Sequence, residues 1–207
     1  MSVVHREQYG EYSIEVWRDS FAVPPRAWDN LGTMACFHRR YSIGDTSSRI
    51  PSVSECREIE DSGFYNGEPV VVLPIYAYEH GQMTISTSPF HCPWDSGKLG
   101  IIFVTHNRLK SEFGCDVVDD AIIEKAKSCL RAEVDQQDRY IRGEVYGYTV
   151  TRDGVITDDC GGFYSDVEDV LKEIRNALSD PIVDLMKATE EATAPLPNPE
   201  NGEAVRA

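Results

Sequence analysis

No stretch of this sequence stays apolar for the roughly 18 residues that a membrane helix requires. The opening M-S-V-V-H-R-E-Q-Y-G lacks the apolar centre of a secretion signal, so a cytosolic chain with reduced thiols is expected. Bases are scarce. Against 35 Asp and Glu stand 20 Lys and Arg, a formal charge of −15. Affinity for phosphate backbones comes from Lys and Arg displacing counterions, so direct nucleic-acid binding is disfavoured, while a basic protein partner or a bound cation is allowed. The six cysteines are spread singly, with no C-x-x-C pair and no compact His/Cys cluster, which excludes a zinc ribbon. P-loop, G-x-G-x-x-G, H-E-x-x-H and D-x-D-x-D patterns are all missing, so no motif names a nucleotide, a metal or another cofactor.

What is present is an ordinary globular composition, 41% hydrophobic and 27% charged over 207 residues. That length buries a full core, and one domain over residues 1–188 is expected. The tail from 189 to 207, containing A-T-A-P-L-P-N-P-E-N-G, has too little apolar surface to offset its ordering entropy and is expected to be disordered. Six acids against two bases from Asp180 onward still leave the body at −11, so acidity is not a tail effect.

Strand patterns come first in the chain. Glu11–Arg18 alternates Tyr12, Ile14 and Val16 against Ser13, Glu15 and Trp17. Met34–His38 is short, apolar and aromatic. Pro69–Tyr78 is rich in β-branched and aromatic residues, with Pro74 predicted at an edge or bulge because it cannot donate to a ladder. Met83–Ser88 follows as the second arm of a hairpin, and Gly100–Thr105 completes a meander. Glu144–Thr151 and Val155–Thr157, joined at Asp153-Gly154, form a C-terminal hairpin. Helices come late: a short one over 106–113, a long one over about 117–142, and one marked by Val167, Val170, Leu171, Ile174 and Leu178 after Ser165. Shorter helical turns are expected within Ser54–Ser62 and Ile182–Lys187. The grouping argues an α+β fold: an antiparallel sheet with one long and one shorter helix packed on one face.

Two stretches carry chemistry. In S-P-F-H-C-P-W-D-S-G-K (Ser88–Lys98) a polar elbow feeds the most apolar run of the chain, a common way to present a site on a rigid scaffold. Cys92 as nucleophile, His38 as base and Asp95 as orienter is one reading. Neighbouring His91 would point away from Cys92 on extended chain. The plainer alternative is a buried small thiol beside an Asx turn at Asp95-Ser96. The second stretch is W-D-N-L-G-T-M, Trp28–Met34, followed by His38-Arg39-Arg40 and Asp45. Trp-Asp occurs at a turn in both, at Trp28-Asp29 and Trp94-Asp95. If the two turns meet at one end of the sheet, Trp28, Asp29, Asn30, Trp94, Asp95 and Ser96 line a shared pocket for a polar ligand, with Arg39 and Arg40 available to an anionic group. Asp29, Asp45 and Asp95 would be the oxygen donors for a hard cation there. The plainer alternative has the tryptophans anchoring loops and the aspartates capping turns.

The strings W-D-N-L-G-T-M-A-C-F-H-R-R-Y (Trp28–Tyr41), P-I-Y-A-Y-E-H (Pro74–His80), C-P-W-D-S-G-K-L-G-I-I-F-V (Cys92–Val104) and G-E-V-Y-G-Y (Gly143–Tyr148) together resemble a family of uncharacterised proteins of bacteriophages and related mobile elements. The likeness covers most of residues 12–165 and transfers no activity and no residue role. It implies context: a phage-encoded accessory protein in the cytoplasm of a bacterial host. The expected function is then binding of a host protein or a small ligand, as an inhibitor of host machinery or defence. The alternatives are a small hydrolase or transferase using Cys92, His38 and Asp95 or a carboxylate-bound cation, and a structural protein.

Overall fold

A computed structural model describes residues 2–47, 50–177 and 184; the expected turn over 182–187 and the tail from 189 lie outside the described residues, residue 184 apart. The chain begins with a hairpin, β1 (Ser2–Tyr9) and β2 (Tyr12–Arg18). After a 3-10 turn at Pro25–Ala27 come β3 (Thr33–Cys36) and α1 (Val53–Ser62). Then follow β4 (Phe64–Tyr65), β5 (Glu68–His80), β6 (Gln82–Ser86) and β7 (Ser96–Thr105). Helices α2 (His106–Phe113) and α3 (Asp120–Ile141) lead to β8 (Tyr146–Arg152), β9 (Val155–Phe163) and α4 (Val167–Ala177). This is an α+β fold with every strand pair antiparallel.

The strands form two sheets rather than one. The first has the order β1-β2-β8-β9, so the N-terminal hairpin pairs with the C-terminal one. Alternation puts Ile14, Val16, Tyr148 and Val150 on one face, where Val170 and Ile174 of α4 cover them. On the opposite face Trp17 lies across Gly147, where an added Cβ would come within 2.3 Å of the ring, and its indole N–H donates to Thr149 at 2.9 Å. Asp153 and Gly154, at φ 49° and 79°, make the tight β8–β9 turn that the Asp-Gly pair predicts.

The second sheet has the order β3-β7-β5-β4, with β6 on the outer side of β5. Its helices cover both faces, not one. Ile101 and Phe103 of β7 pack with Cys56 and Ile59 of α1, whereas Ile102 and Val104 pack with Ala126, Leu130 and Val134 of α3. The reason is in the β7 sequence. Leu99–Val104 has no polar alternation, and a strand apolar on both sides has to be roofed twice. Pro74 sits where β5 is flanked by β7 alone, past the end of β4 and before the β6 pairing begins at Tyr76, so its missing N–H costs no ladder bond.

Side-chain and glycine caps set the helix ends. Ser52 and Glu55 form a capping box on α1, and Thr105 and Asp119 cap α2 and α3. Gly114 ends α2 in the left-handed conformation, at φ 61°. Buried Asp138 of α3 accepts from Thr84 Oγ1 and the Ile85 N–H, both at 2.7 Å, and from Arg142 Nε at 2.8 Å, which fastens the helix to β6. The Arg139–Asp166 ion pair at 2.8 Å ties α3, which roofs the second sheet, to the start of α4, which covers the first. No helix of the described residues is long and apolar enough to cross a membrane.

Candidate functional site

The two Trp-Asp turns do not meet. Trp28 precedes β3 and Trp94 precedes β7, and these strands pair antiparallel, Thr33 opposite Phe103 and Cys36 opposite Gly100. Loops that lead into antiparallel neighbours lie at opposite ends of the pair. A strand the length of β7 spans about 30 Å, so the shared pocket expected from the sequence is two sites. Trp28, Asp29, Asn30 and Asp45 line a cavity at one end of β7. Trp94, Asp95, Ser96 and His38 line another at the other end, with Arg39 and Arg40 beside it.

At the Trp94 end, three shallow concavities share Phe37 in their walls. Trp94 is 92% exposed, Tyr41 53%, Val53 45% and Phe37 40%, an unusual concentration of uncovered apolar surface. Arg40 pairs with Glu79, and Lys98 with Glu60. Arg39 and Arg57, on the same face, have no ion-pair partner among the described residues.

His38 is not placed as a base for Cys92. Its ring stacks on Tyr41, centroids 5.1 Å apart and planes at 10°. Nδ1 accepts the backbone N–H groups of Arg40 and Tyr41, each at 3.2 Å, so the neutral ring carries its proton on Nε2, which lies 3.6 Å from Glu79. Neither nitrogen is left to take a proton from a thiol. Cys92 Sγ donates instead to Asp95 Oδ2 at 3.7 Å, and His80 Nδ1 lies 3.2 Å from the same oxygen. Ser96 Oγ donates to the Cys92 carbonyl. These contacts fix the elbow as a turn, with Asp95 as its hub, and the Cys92/His38/Asp95 constellation read from the sequence does not assemble.

At the Trp28 end a buried ionic network does the fixing. Arg26, its side chain 6% exposed, donates from Nε and Nη2 to the two oxygens of Asp45 at 2.7 and 3.1 Å, from Nη1 to Glu133 at 2.8 Å and from Nη2 to the Gly32 carbonyl at 2.7 Å. Glu133 in turn accepts the Leu31 N–H at 2.7 Å, and Asp45 the Met34 N–H at 2.9 Å. Burial pulls the Arg26 pKa down, but the hydrogen bonds it donates to Asp45 and Glu133 and their negative charge outweigh it and the net shift is upward. Asn30 uses its side-chain N–H groups on the Pro25 and Trp28 carbonyls, both at 2.9 Å. Trp28 meets Tyr164 edge to face, 5.1 Å between centroids, and Asp29 reaches Arg108 at 3.0 Å.

Asp29, Asp45 and Asp95 therefore serve three different partners, Arg108, Arg26 and the His80 ring, and do not form a common cation site. Among the described residues no group of three or more His, Cys, Asp or Glu is arranged to hold a metal. Asp158 and Asp159 accept hydroxyls from Tyr148 at 3.0 Å and Thr149 at 2.6 Å across the β8–β9 ladder. Arg26 and Glu133 were missed in the sequence. Glu133 had a signal: it falls three residues after Leu130 and four before Gln137, on the core-facing stripe of α3, where a carboxylate demands a cation. Comparisons with protein-family models, with curated proteins and with solved structures find no match for this chain.

Proposed function

We propose that this is a non-catalytic binding protein, of the accessory kind that bacteriophages carry, which engages a host protein through the face built by Phe37, Tyr41, Val53 and Trp94. The observation that carries this reading is the indole of Trp94, 92% exposed beside three other half-uncovered apolar side chains. Trp, Tyr and Arg are the residues that dominate binding energy in protein interfaces, and here they stand together on a rigid sheet end. Arg39 and Arg57, without anionic partners among the described residues, call for carboxylates on the partner's contact segment, alongside apolar side chains that cover Trp94. The hydrolase or transferase reading has less support, because His38, the base expected for Cys92, has both ring nitrogens engaged elsewhere.

Photo-crosslinking in infected host cells tests this, with a benzophenone side chain at position 41. One host polypeptide should be trapped by the otherwise native chain and by Phe21→Ala, and lost with Trp94→Ala and Phe37→Ala. Phe21, 81% exposed outside these concavities, is the control for unspecific stickiness. Recovery of the same polypeptide with Trp94→Ala, or trapping of a second copy of this chain alone, would overturn the proposal.

A further inference from the structure

The cavity at the Trp28 end is independent of that face and has a different chemistry. It measures about 640 Å³, within the span of roughly 300 to 1,000 Å³ typical of small-molecule sites. It opens where β3 runs out: Thr33 is the last residue paired with β7, opposite Phe103, while β7 continues to Thr105. Residues Leu31 and Gly32 are pulled aside onto Glu133, which leaves the gap.

Three features make this a built concavity rather than a crevice between loops. Its wall is held by the Arg26–Asp45–Glu133 network, and a buried ion triad is seldom more stable than an apolar replacement, its best-attested use being to fix geometry. Trp28 is 43% exposed, yet it is braced by Tyr164, whose own hydroxyl is anchored on the Val23 carbonyl. Three polar groups of the lining keep uncommitted atoms: the hydroxyls of Thr33 and Thr46 have no hydrogen-bond partner among the described residues, and Asn30 spends its N–H groups on the backbone, with its carbonyl oxygen unpartnered among those residues.

The charges of the lining cancel. Arg26 and Arg108 are matched by Asp45 and Asp29, and each carboxylate is already bonded to its guanidinium. An ionic ligand would lose its hydration without gaining a free counter-charge, and an anion would also meet the field of a chain at −15. Hydroxyls that both donate and accept, an amide carbonyl and the faces of Trp28 and Tyr65 suit a ring with hydroxyls on its edge and an apolar face. We infer that the cavity beneath Trp28 is a binding site for an uncharged polyhydroxylated ring, the pyranose of a saccharide or the ribose of a nucleoside.

Calorimetric titration and saturation-transfer NMR of the full chain with adenosine, uridine, glucose and maltose test the inference. At least one of the four should bind saturably, with the Trp28 indole N–H resonance moving on addition. Trp28→Ala and Thr46→Val should each weaken it about tenfold or more, near 1.4 kcal/mol, and Trp94→Ala not at all. Nucleoside against saccharide binding distinguishes the two sources of the ring. A 5′-phosphate on the nucleoside should weaken binding. The absence of binding by all four probes at about 10 mM, tighter binding of the phosphorylated form, or an unmoved Trp28 resonance in the wild-type chain would overturn it. The resonance is read in the unmutated protein, so a variant that fails to fold does not rescue the idea.

Discussion

Replacing Arg26 by Met removes the cation from a site where its two carboxylate partners cannot escape to water. The Asp45 and Glu133 side chains are 19% and 12% exposed, so solvent screens little of the interaction. Breaking a buried pair from one side costs about 3 to 5 kcal/mol, because a charge is left without compensation. Here the carboxylates keep the backbone N–H groups of Met34, Leu31 and Gly32, which places the expected loss near the lower figure, about 3 kcal/mol. In urea that is a fall in the unfolding midpoint of roughly 1 to 2 M with an unchanged slope. In a thermal scan it is roughly 6 to 12 °C for a chain of this size. Arg26→Lys keeps the charge but not the fork that reaches Asp45, Glu133 and Gly32 together, and should restore less than half of the loss. A loss below about 1 kcal/mol for Arg26→Met would refute the view that this network sets the Trp28 loop, since it would put the triad in the class of weak surface pairs.

Gly100→Ala should be among the most damaging single-methyl additions, because a Cβ there falls 1.9 Å from the Ala35 carbonyl oxygen and the β3–β7 pair would have to part. Overpacking of this kind costs about 1 to 3 kcal/mol or more, and a urea midpoint within error of wild type would contradict it. Burial pushes the Cys36 thiol up to about 12 and the Cys56 thiol to about 11, from the ordinary value of 9.0. Both folded pKa values are raised, and these groups are neutral in the folded state. Their contribution to stability is therefore complete below pH 9.0 and falls as pH rises toward about 12, as unfolded thiols ionise. Chemical denaturation at several pH values above 8 should show the decline, and Cys36→Ala should flatten it.

Much of the fold is legible in the sequence, for physical reasons that differ between elements. The Asp153-Gly154 turn is readable because both residues tolerate positive φ, and α2 because Gly114 closes it. β1 is not readable. Its Arg6, Glu7 and Gln8 are polar on both faces, and its place is set by pairing with β2. Asn66-Gly67, at φ 51° and 78°, is the strongest kind of short hairpin signal, but β4 on its N-terminal side has only two residues, too few to show a strand alternation. β9 runs on through Asp158–Phe163, where acids and glycines depress strand propensity, because β8 supplies the ladder. The two helix layers of the second sheet were implied by unalternating β7, but α1, polar on most of its surface, gave little sign of being one of them.

The two tryptophan turns part for a topological reason. Both turns enter strands. Once β3 and β7 are taken as neighbours in an antiparallel sheet, the entry loops must part to opposite ends. The protein then has two separate concave ends on one ladder, and their independence is itself testable. Between them lies a hydrogen-bonded strand pair with Ile101 and Ile102 fully buried, whereas coupled sites are joined by an element with two alternative packings. Coupling requires such an element, biased by both sites. Trp28→Ala and Trp94→Ala should therefore combine additively, in stability within about 0.5 kcal/mol and in binding at each end with no effect of the other substitution. An interaction above about 1 kcal/mol in the double-mutant cycle would mean that β7 transmits strain along its length, and that the two ends form one device after all.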